Sequence, residues 1–445
     1  MNWNLFNIYS NFNYLRYSLG IMMMLNGFPL IFFIRDTLKI GPASSAFTAV
    51  FMIVALLLMT PSHLFKRYYK PNTILFNLGV GFLAISFYYF LFINFQGKAV
   101  ADYGTYMFIG AFLFLLLHIP NDVKDTLLAV IFVVSLFCNL TLVYSLLTDP
   151  NWSPGMRAAV SFSNEGAQPG GNPHITARNG VICMVSAIIL LNNSTGVFTR
   201  VFLFFSALFS LGVVVMSLAK SSYLGTGLML GAFFVFRFKA RNILTSIGGI
   251  FKFSNMIILI IILIGINYFL NRYGDIFNLL LGYWDVFENR IMDVIFTSTG
   301  VKLTDEADVD YSAMGRVSGF AMFVKTFFSW NVFLGMGYKY DYLDVPILES
   351  FVNHGILGFV FFASFNIFLA IYALREVKNP TNPLTTFLAY LFISMSVLLA
   401  TGGRPYDIVF WFPYAVMIRF LGIRYTDSMK FKPKTDPIAV ASPAS

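Results

Sequence analysis

Residues 127–147 read LLAVIFVVSLFCNLTLVYSLL, with no charged side chain in the run. Wound into an α-helix at about 1.5 Å per residue, a segment of this length reaches about 30 Å, the thickness of a bilayer's hydrocarbon core. Comparable windows recur near 14–34, 44–61, 73–95, 103–119, 179–193, 198–219, 221–237, 254–270, 352–374, 383–400 and 405–422. The sequence therefore predicts an all-α, polytopic integral membrane protein of about twelve transmembrane helices. The 445 residues are 58% hydrophobic and 11% charged, with mean hydropathy +0.72, against roughly 45–50% and about 25% in soluble chains. That balance excludes an ordinary soluble enzyme. The first 13 residues lack a basic run and a small-residue cleavage site, so the first apolar segment reads as an uncleaved span.

Short loops with Lys and Arg stay on the cytoplasmic side. A cytoplasmic N-terminus gathers Lys66, Arg67, Lys70, Lys124, Arg200, Arg237, Lys239, Arg241, Lys252, Arg375 and Lys378 on that side, with Arg424, Lys430, Lys432 and Lys434 of the tail. Arg35, Lys39, Lys98, Lys220 and Arg404 remain opposite. Both termini are then cytoplasmic, which agrees with an even number of spans. The net charge of +9 follows from this loop pattern, and no basic-aromatic patch suggests nucleic acid.

Residues 1–429 form a single membrane domain, and 430–445 are expected to be a disordered tail. Two long connections, 148–178 and 271–351, fall on the non-cytoplasmic face. In the second, Ile276–Val294 and Val317–Trp330 carry apolar residues at helical spacing and predict amphipathic helices at the interface. The stretch TSTGVKLTDEADVDYSAMG (297–315) predicts an exposed loop between them.

Cys138 and Cys183 lie in apolar runs and predict core packing rather than a disulfide or a metal site. There is no phosphate-cradling P-loop, dinucleotide fingerprint, paired-His zinc motif or nucleophile elbow, so no cofactor is expected. What remains is a set of outer-face cations: Arg157, Arg178, Lys220, Arg316 and Arg404. A guanidinium matches phosphate oxygens, and low dielectric at the membrane boundary strengthens the attraction, so a lipid-linked pyrophosphate is the natural anion. The plainer reading is that each snorkels to headgroups or pairs with a nearby acid.

Arg157 and Arg178 bracket AAVSFSNEGAQPGGNPHITA (158–177), a turn-rich loop. Lys220 precedes Ser221 and Ser222, and Gly225 and Gly227 would admit a neighbouring helix. Arg316 opens RVSGFAMFVKTFFSWNVFLGMG, which ends in Gly335 and Gly337. The following KYDYLDVPILESFVNHGILGF (339–359) carries Asp344, Glu349 and His354, the candidate catalytic groups. A carboxylate there would take the proton from a sugar hydroxyl attacking an activated glycosyl phosphate. Neutralising the cations is the other reading of the acids, and a hydrogen-bonded structural role that of His354.

In order along the chain, GGNPHITARNG (170–180), AKSSYLG (219–225), the Arg316 helix with its Gly-x-Gly, and Gly355 to Gly358 resemble the O-antigen polymerase and O-antigen ligase superfamily. The resemblance implies an inner-membrane, GT-C-like glycosyltransferase working at the periplasmic face on undecaprenyl-pyrophosphate-linked glycan, without metal. Arg157, Arg178, Lys220 and Arg316 would hold the pyrophosphate. Membrane lipids and a chain-length regulator are the other partners considered. Ligases carry a His about eleven residues before the glycine that aligns with Gly355; this chain has Asp344 there, which favours the Wzy-like polymerase. The ligase and a lipid-linked oligosaccharide flippase are the alternatives.

Overall fold

The computed structural model describes residues 5–237 except 43, 63, 66, 95, 96, 98, 150, 151, 153–155, 157 and 159–172, then 311–423 and the isolated positions 264, 267 and 282. The described chain is all-helical, because in hydrocarbon only intra-helical pairing satisfies the backbone within one segment. In order come α1 (Leu5–Asn26), α2 (Phe28–Phe32), α3 (Ser45–Met59), α4 (Thr73–Phe92), α5 (Val100–His118), α6 (Lys124–Thr148), α7 (Pro173–Asn193), α8 (Val197–Met216) and α9 (Lys220–Arg237). After the gap follow α10 (Tyr311–Phe327), α11 (Asn331–Leu334), α12 (Pro346–Lys378), α13 (Pro383–Ser396), α14 (Leu398–Thr401) and α15 (Ile408–Phe420).

Among the described residues seven helices are long and apolar enough to cross a membrane, or eight if a bent pair counts as one span; Ser45–Met59 and Ile408–Phe420 are apolar but shorter. This is the pattern of a polytopic membrane protein. The window near 254–270, the helix expected over Ile276–Val294 and the 430–445 tail lie outside the described residues.

Three boundaries differ from the sequence expectation. The first span is broken: Asn11–Asn26 and Phe28–Thr37 meet at 81°. Pro29 has no N–H to continue the ladder, and Gly27 lacks the side chain that would stiffen it. α7 begins at Pro173, inside the expected loop, so Arg178 sits more than one turn into the helix. α10 begins at Tyr311, taking the last residues of the expected acidic loop into a helix. Phe323 of α10 packs on Phe351 at 5.0 Å while Phe320 and Phe327 stay exposed, which suits an amphipathic element.

The interior is held by size-matched apolar packing and by one amide ladder. Asn26 Nδ2 donates to Asn179 Oδ1 at 2.7 Å, Asn179 Nδ2 to Asn139 Oδ1 at 2.7 Å, and Asn139 Nδ2 to Ser210 Oγ at 3.1 Å. The ladder ties α1, α7, α6 and α8 together. Cys138 and Cys183 are buried nearby, unbridged. Gly225 admits the α13 backbone, since a Cβ there would lie 2.5 Å from the Ser394 carbonyl oxygen; Gly227 faces open space.

Contacts between helix ends sort the bundle into two faces. At one end, Arg178 donates to the carbonyls of Leu25 and Val409, joining the end of α1 to the starts of α7 and α15. The start of α9 meets the start of α7 through Ser221 Oγ and His174 Nδ1, 3.2 Å apart. At the other end, Arg16 donates to the Thr60 carbonyl, Asn72 Nδ2 to that of Leu421, and Arg419 to those of Leu116 and Ile119.

α12 contains a non-helical residue, Gly355 (φ 65, ψ −165). The break frees the Val352 and Asn353 carbonyls, which accept N–H bonds from Met336 at 2.7 Å and Gly337 at 3.1 Å. Gly335 (φ 70) lies against Gly355, where a Cβ on either would come within 2.6 Å of backbone. Gly355→Ala is expected to cost more than about 2 kcal/mol, from a conformation that L side chains avoid plus a clash with the Phe333 carbonyl. Thermal unfolding in detergent measures it; unchanged stability would mean the break is not required.

Candidate functional site

Pro346 suits the first turn of α12, where no N–H is needed, and Glu349 and Asn353 stand four residues apart on one face. Across from them runs Gly402–Asp407 (GGRPYD), between α14 and α15. Gly403 takes φ +87, and the Asp407 carboxylate accepts the Arg404 N–H at 2.8 Å. Trp411 Nε1 donates to the Pro405 carbonyl at 2.8 Å and anchors the loop on α15.

This loop delivers Arg404 and Tyr406 to Glu349, which is fully buried. Arg404 Nη1 lies 3.3 Å from Glu349 Oε1, the Tyr406 hydroxyl donates to the same oxygen at 3.1 Å, and Asn353 Nδ2 donates to it at 3.2 Å. The Leu343 N–H reaches the other oxygen at 3.3 Å. Arg404 Nη1 also donates to the Tyr406 oxygen at 3.0 Å, so the phenol relays between guanidinium and carboxylate.

Asp344 joins through Tyr342. Its carboxylate accepts the Tyr342 hydroxyl at 2.9 Å, that hydroxyl accepts the Gly403 N–H at 3.3 Å, and the Arg404 guanidinium lies 5.1 Å from the Tyr342 ring centre. Asp344 takes φ 58, a strained conformation for a residue with a side chain. Burial pushes the Tyr342 phenol up to about 12, opposed by the Gly403 N–H and reinforced by Asp344. Burial likewise raises Tyr406, with the Glu349 charge adding to it. Asp407 is raised by burial against the pull of the Arg404 N–H and of the Arg404 and Lys339 charges. Both phenols therefore act as hydrogen-bond donors at neutral pH.

His354 is fully buried among Tyr89 at 5.1 Å, Phe82 at 5.6 Å and Tyr406 at 6.0 Å between ring centres. The Ser350 backbone, one turn back on α12, is a polar group beside the ring. The imidazole fills space behind Tyr406, a placement that suits packing better than proton shuttling.

The strap Gly335–Val345 beside the cluster is pinned to the end of α4 and the start of α5. Lys339 Nζ lies 2.6 Å from Asp102 Oδ1, Tyr338 N–H donates to the Ile93 carbonyl at 2.9 Å, and Tyr89 OH to that of Leu334 at 2.6 Å.

Of the five candidate cations, Arg157 lies outside the described residues, and so does the side chain of Arg316, whose backbone lies in α10. Arg178, Lys220 and Arg404 occupy the same end of the bundle: Arg178 bonds Val409 just after the Arg404 loop, and Lys220 starts α9 beside the His174 turn of α7. Arg178 spends Nη1 at 2.8 Å and Nη2 at 3.0 Å on backbone carbonyls, so it fastens helices rather than offering its fork to a phosphate. Arg404 faces Glu349.

Sequence reasoning did not single out Tyr342, Asn353, Tyr406, Asp407 or the Asp102–Lys339 pair. The signal for two of them was adjacency, since Tyr406 and Asp407 follow Arg404 within three residues. Among the described residues no group of three or more His, Cys, Asp or Glu is placed to hold a metal ion. No protein-family model, curated protein or solved structure matches the chain.

Proposed function

We propose that the chain is a membrane-embedded glycosyltransferase of the O-antigen polymerase kind, with about twelve spans in a GT-C-like arrangement. In this reading it sits in a bacterial inner membrane with both termini cytoplasmic, and the Glu349 end faces the periplasm. The observation that carries the reading is the buried Glu349 carboxylate, linked to Arg404 and Tyr406 and, through Tyr342, connected to Asp344. A carboxylate beside a displaceable guanidinium is the pairing that transfer from a glycosyl diphosphate to an alcohol needs.

The acceptor hydroxyl oxygen bonds to the donor sugar's anomeric carbon while the bond from that carbon to the diphosphate oxygen breaks. The bonding electrons leave with the undecaprenyl diphosphate, and the hydroxyl proton passes to a carboxylate, Glu349 in the first instance. Arg404, with Lys220 at the same end, neutralises the departing anion. A diphosphate that draws Arg404 from Glu349 would uncover the base as the leaving group docks. Arg157 and Arg316 remain proposed pyrophosphate ligands on the sequence argument alone.

The test is reconstitution in vesicles with lipid-linked repeat units, scored by gel. Lys220→Ala and Asp344→Asn should each shorten or abolish the ladder of lipid-linked polymer, Asp344→Asn by about 10²–10⁴-fold in rate if it shares the proton transfer. Normal ladders from both would refute the reading. Product on lipid A-core instead of longer lipid-linked chains would indicate the ligase. Movement of the lipid-linked unit across the vesicle with no new glycosidic bond would indicate a flippase.

A further inference from the structure

At the end of the bundle away from Glu349, a cavity of about 330 Å³ lies between the last turns of α7, the second half of α9 and the start of α13. Ile188, Met229, Phe233 and Tyr390 give it an apolar wall, Asn192 and Asn382 carry carboxamides at its edge, and no lining side chain is charged. Its floor is the turn from Pro380 to Pro383, whose two prolines fix the backbone.

That turn is held by Glu376, 7% exposed, which accepts the Thr381 N–H at 2.8 Å and stands 2.7 Å from the Thr385 hydroxyl. Asn382, which also lines the cavity, accepts the Leu384 N–H on Oδ1 at 2.9 Å and caps α13. The turn that forms the floor is therefore fixed by the fold.

Beside the polar groups of Asn192, Asn193, Thr381, Asn382 and Thr386, the lining has an apolar side at Ile188, Met229 and Phe233, where a hydrocarbon chain makes dispersion contacts that an empty space forfeits. α7 and the Pro383–Thr401 segment that α13 opens are among the stretches long and apolar enough to span a membrane, so hydrocarbon chains are the abundant solvent at the opening. The lining offers a phosphate no counter-charge, while carboxamide N–H groups suit a neutral ester carbonyl.

We propose that this cavity binds one acyl chain of a membrane glycerolipid, its methylenes among Ile188, Met229 and Phe233 and its ester carbonyl at Asn192 and Asn382. The site is independent of glycosyl transfer. The experiment places the full-length protein in phosphatidylcholine vesicles containing a phosphatidylcholine with a mid-chain diazirine, followed by irradiation and peptide mapping. Label is expected on residues 185–193 and 229–234. Ile188→Trp, whose indole fills the space, should lower it about tenfold, equivalent to roughly 1.4 kcal/mol. The outward-facing Phe204 and Phe205 of α8, 49% and 62% exposed, should label equally in both proteins and report on folding. Met229→Trp serves if Ile188→Trp does not fold. Equal cavity labelling in wild type and filled variant overturns the proposal, as does label confined to α8. Cross-linking to another part of this chain, from a photoreactive residue placed at position 229, also overturns it.

Discussion

Arg404→Ala should destabilise the protein by about 3 kcal/mol, because Glu349 then stands fully buried without its counter-charge. The figure is set near the low end for a broken buried pair, since the Arg404 side chain is 20% exposed. Adding Glu349→Gln to Arg404→Ala should restore most of that loss, as a neutral amide has no charge to strand. Glycosyl transfer should not return in the double variant, because both the proposed base and the proposed cation are gone. Glu349→Gln alone should keep the fold and lose about 10²–10⁴ in turnover. Thermal unfolding in detergent and the vesicle assay separate these outcomes. Wild-type stability in Arg404→Ala would show that the pair is not a structural one, and wild-type turnover in Glu349→Gln would move the base to Asp344.

The second large effect belongs to the amide ladder. Asn179 makes three interhelical bonds, to Asn26 and Asn139 at 2.7 Å each and to the Ser135 carbonyl at 3.0 Å. Asn179→Leu strands both neighbouring carboxamides and should cost about 2–3 kcal/mol, taking somewhat under 1 kcal/mol for each bond within a membrane bundle. Replacing Asn26, Asn139 and Asn179 together by leucine should recover part of the loss, since no polar group is then orphaned. A single Asn179→Leu protein as stable as wild type would mean the ladder contributes nothing. The same variant should loosen the break after Asn26, measurable as faster proteolysis near residues 27–37.

The helices were legible because hydrocarbon demands long apolar runs, and such runs survive in any single sequence. Breaks were less legible. Gly27 and Pro29 mark the first in retrospect, yet the second half of the window 14–34 carries no charge and one polar side chain, Asn26, and reads as one span. Gly355 escaped for the opposite reason: a glycine within a helix is common, and only its meeting with Gly335, twenty residues earlier, makes it a break.

At the candidate site the charges were visible and their assignments were not. Asp344, Glu349 and Arg404 announce themselves as ionisable residues in an apolar chain, and the fold joins all three. Tyr342 and Tyr406, which link them, are two of 23 tyrosines and carry no local mark. Arg178 looked like a phosphate ligand because a guanidinium near a span's start needs a partner. The bend in the first span supplies one, in carbonyls that no linear pattern reveals.

The backbone-to-backbone seam between Gly335 and Gly355 makes the strap and the opening turns of α12 a single lever. Two amides of one segment are already committed to two carbonyls of the other, so neither slides without unstitching both. A displacement of the strap therefore carries the opening turns of α12 with it, and has also to release Lys339 from Asp102 and Tyr338 from the Ile93 carbonyl.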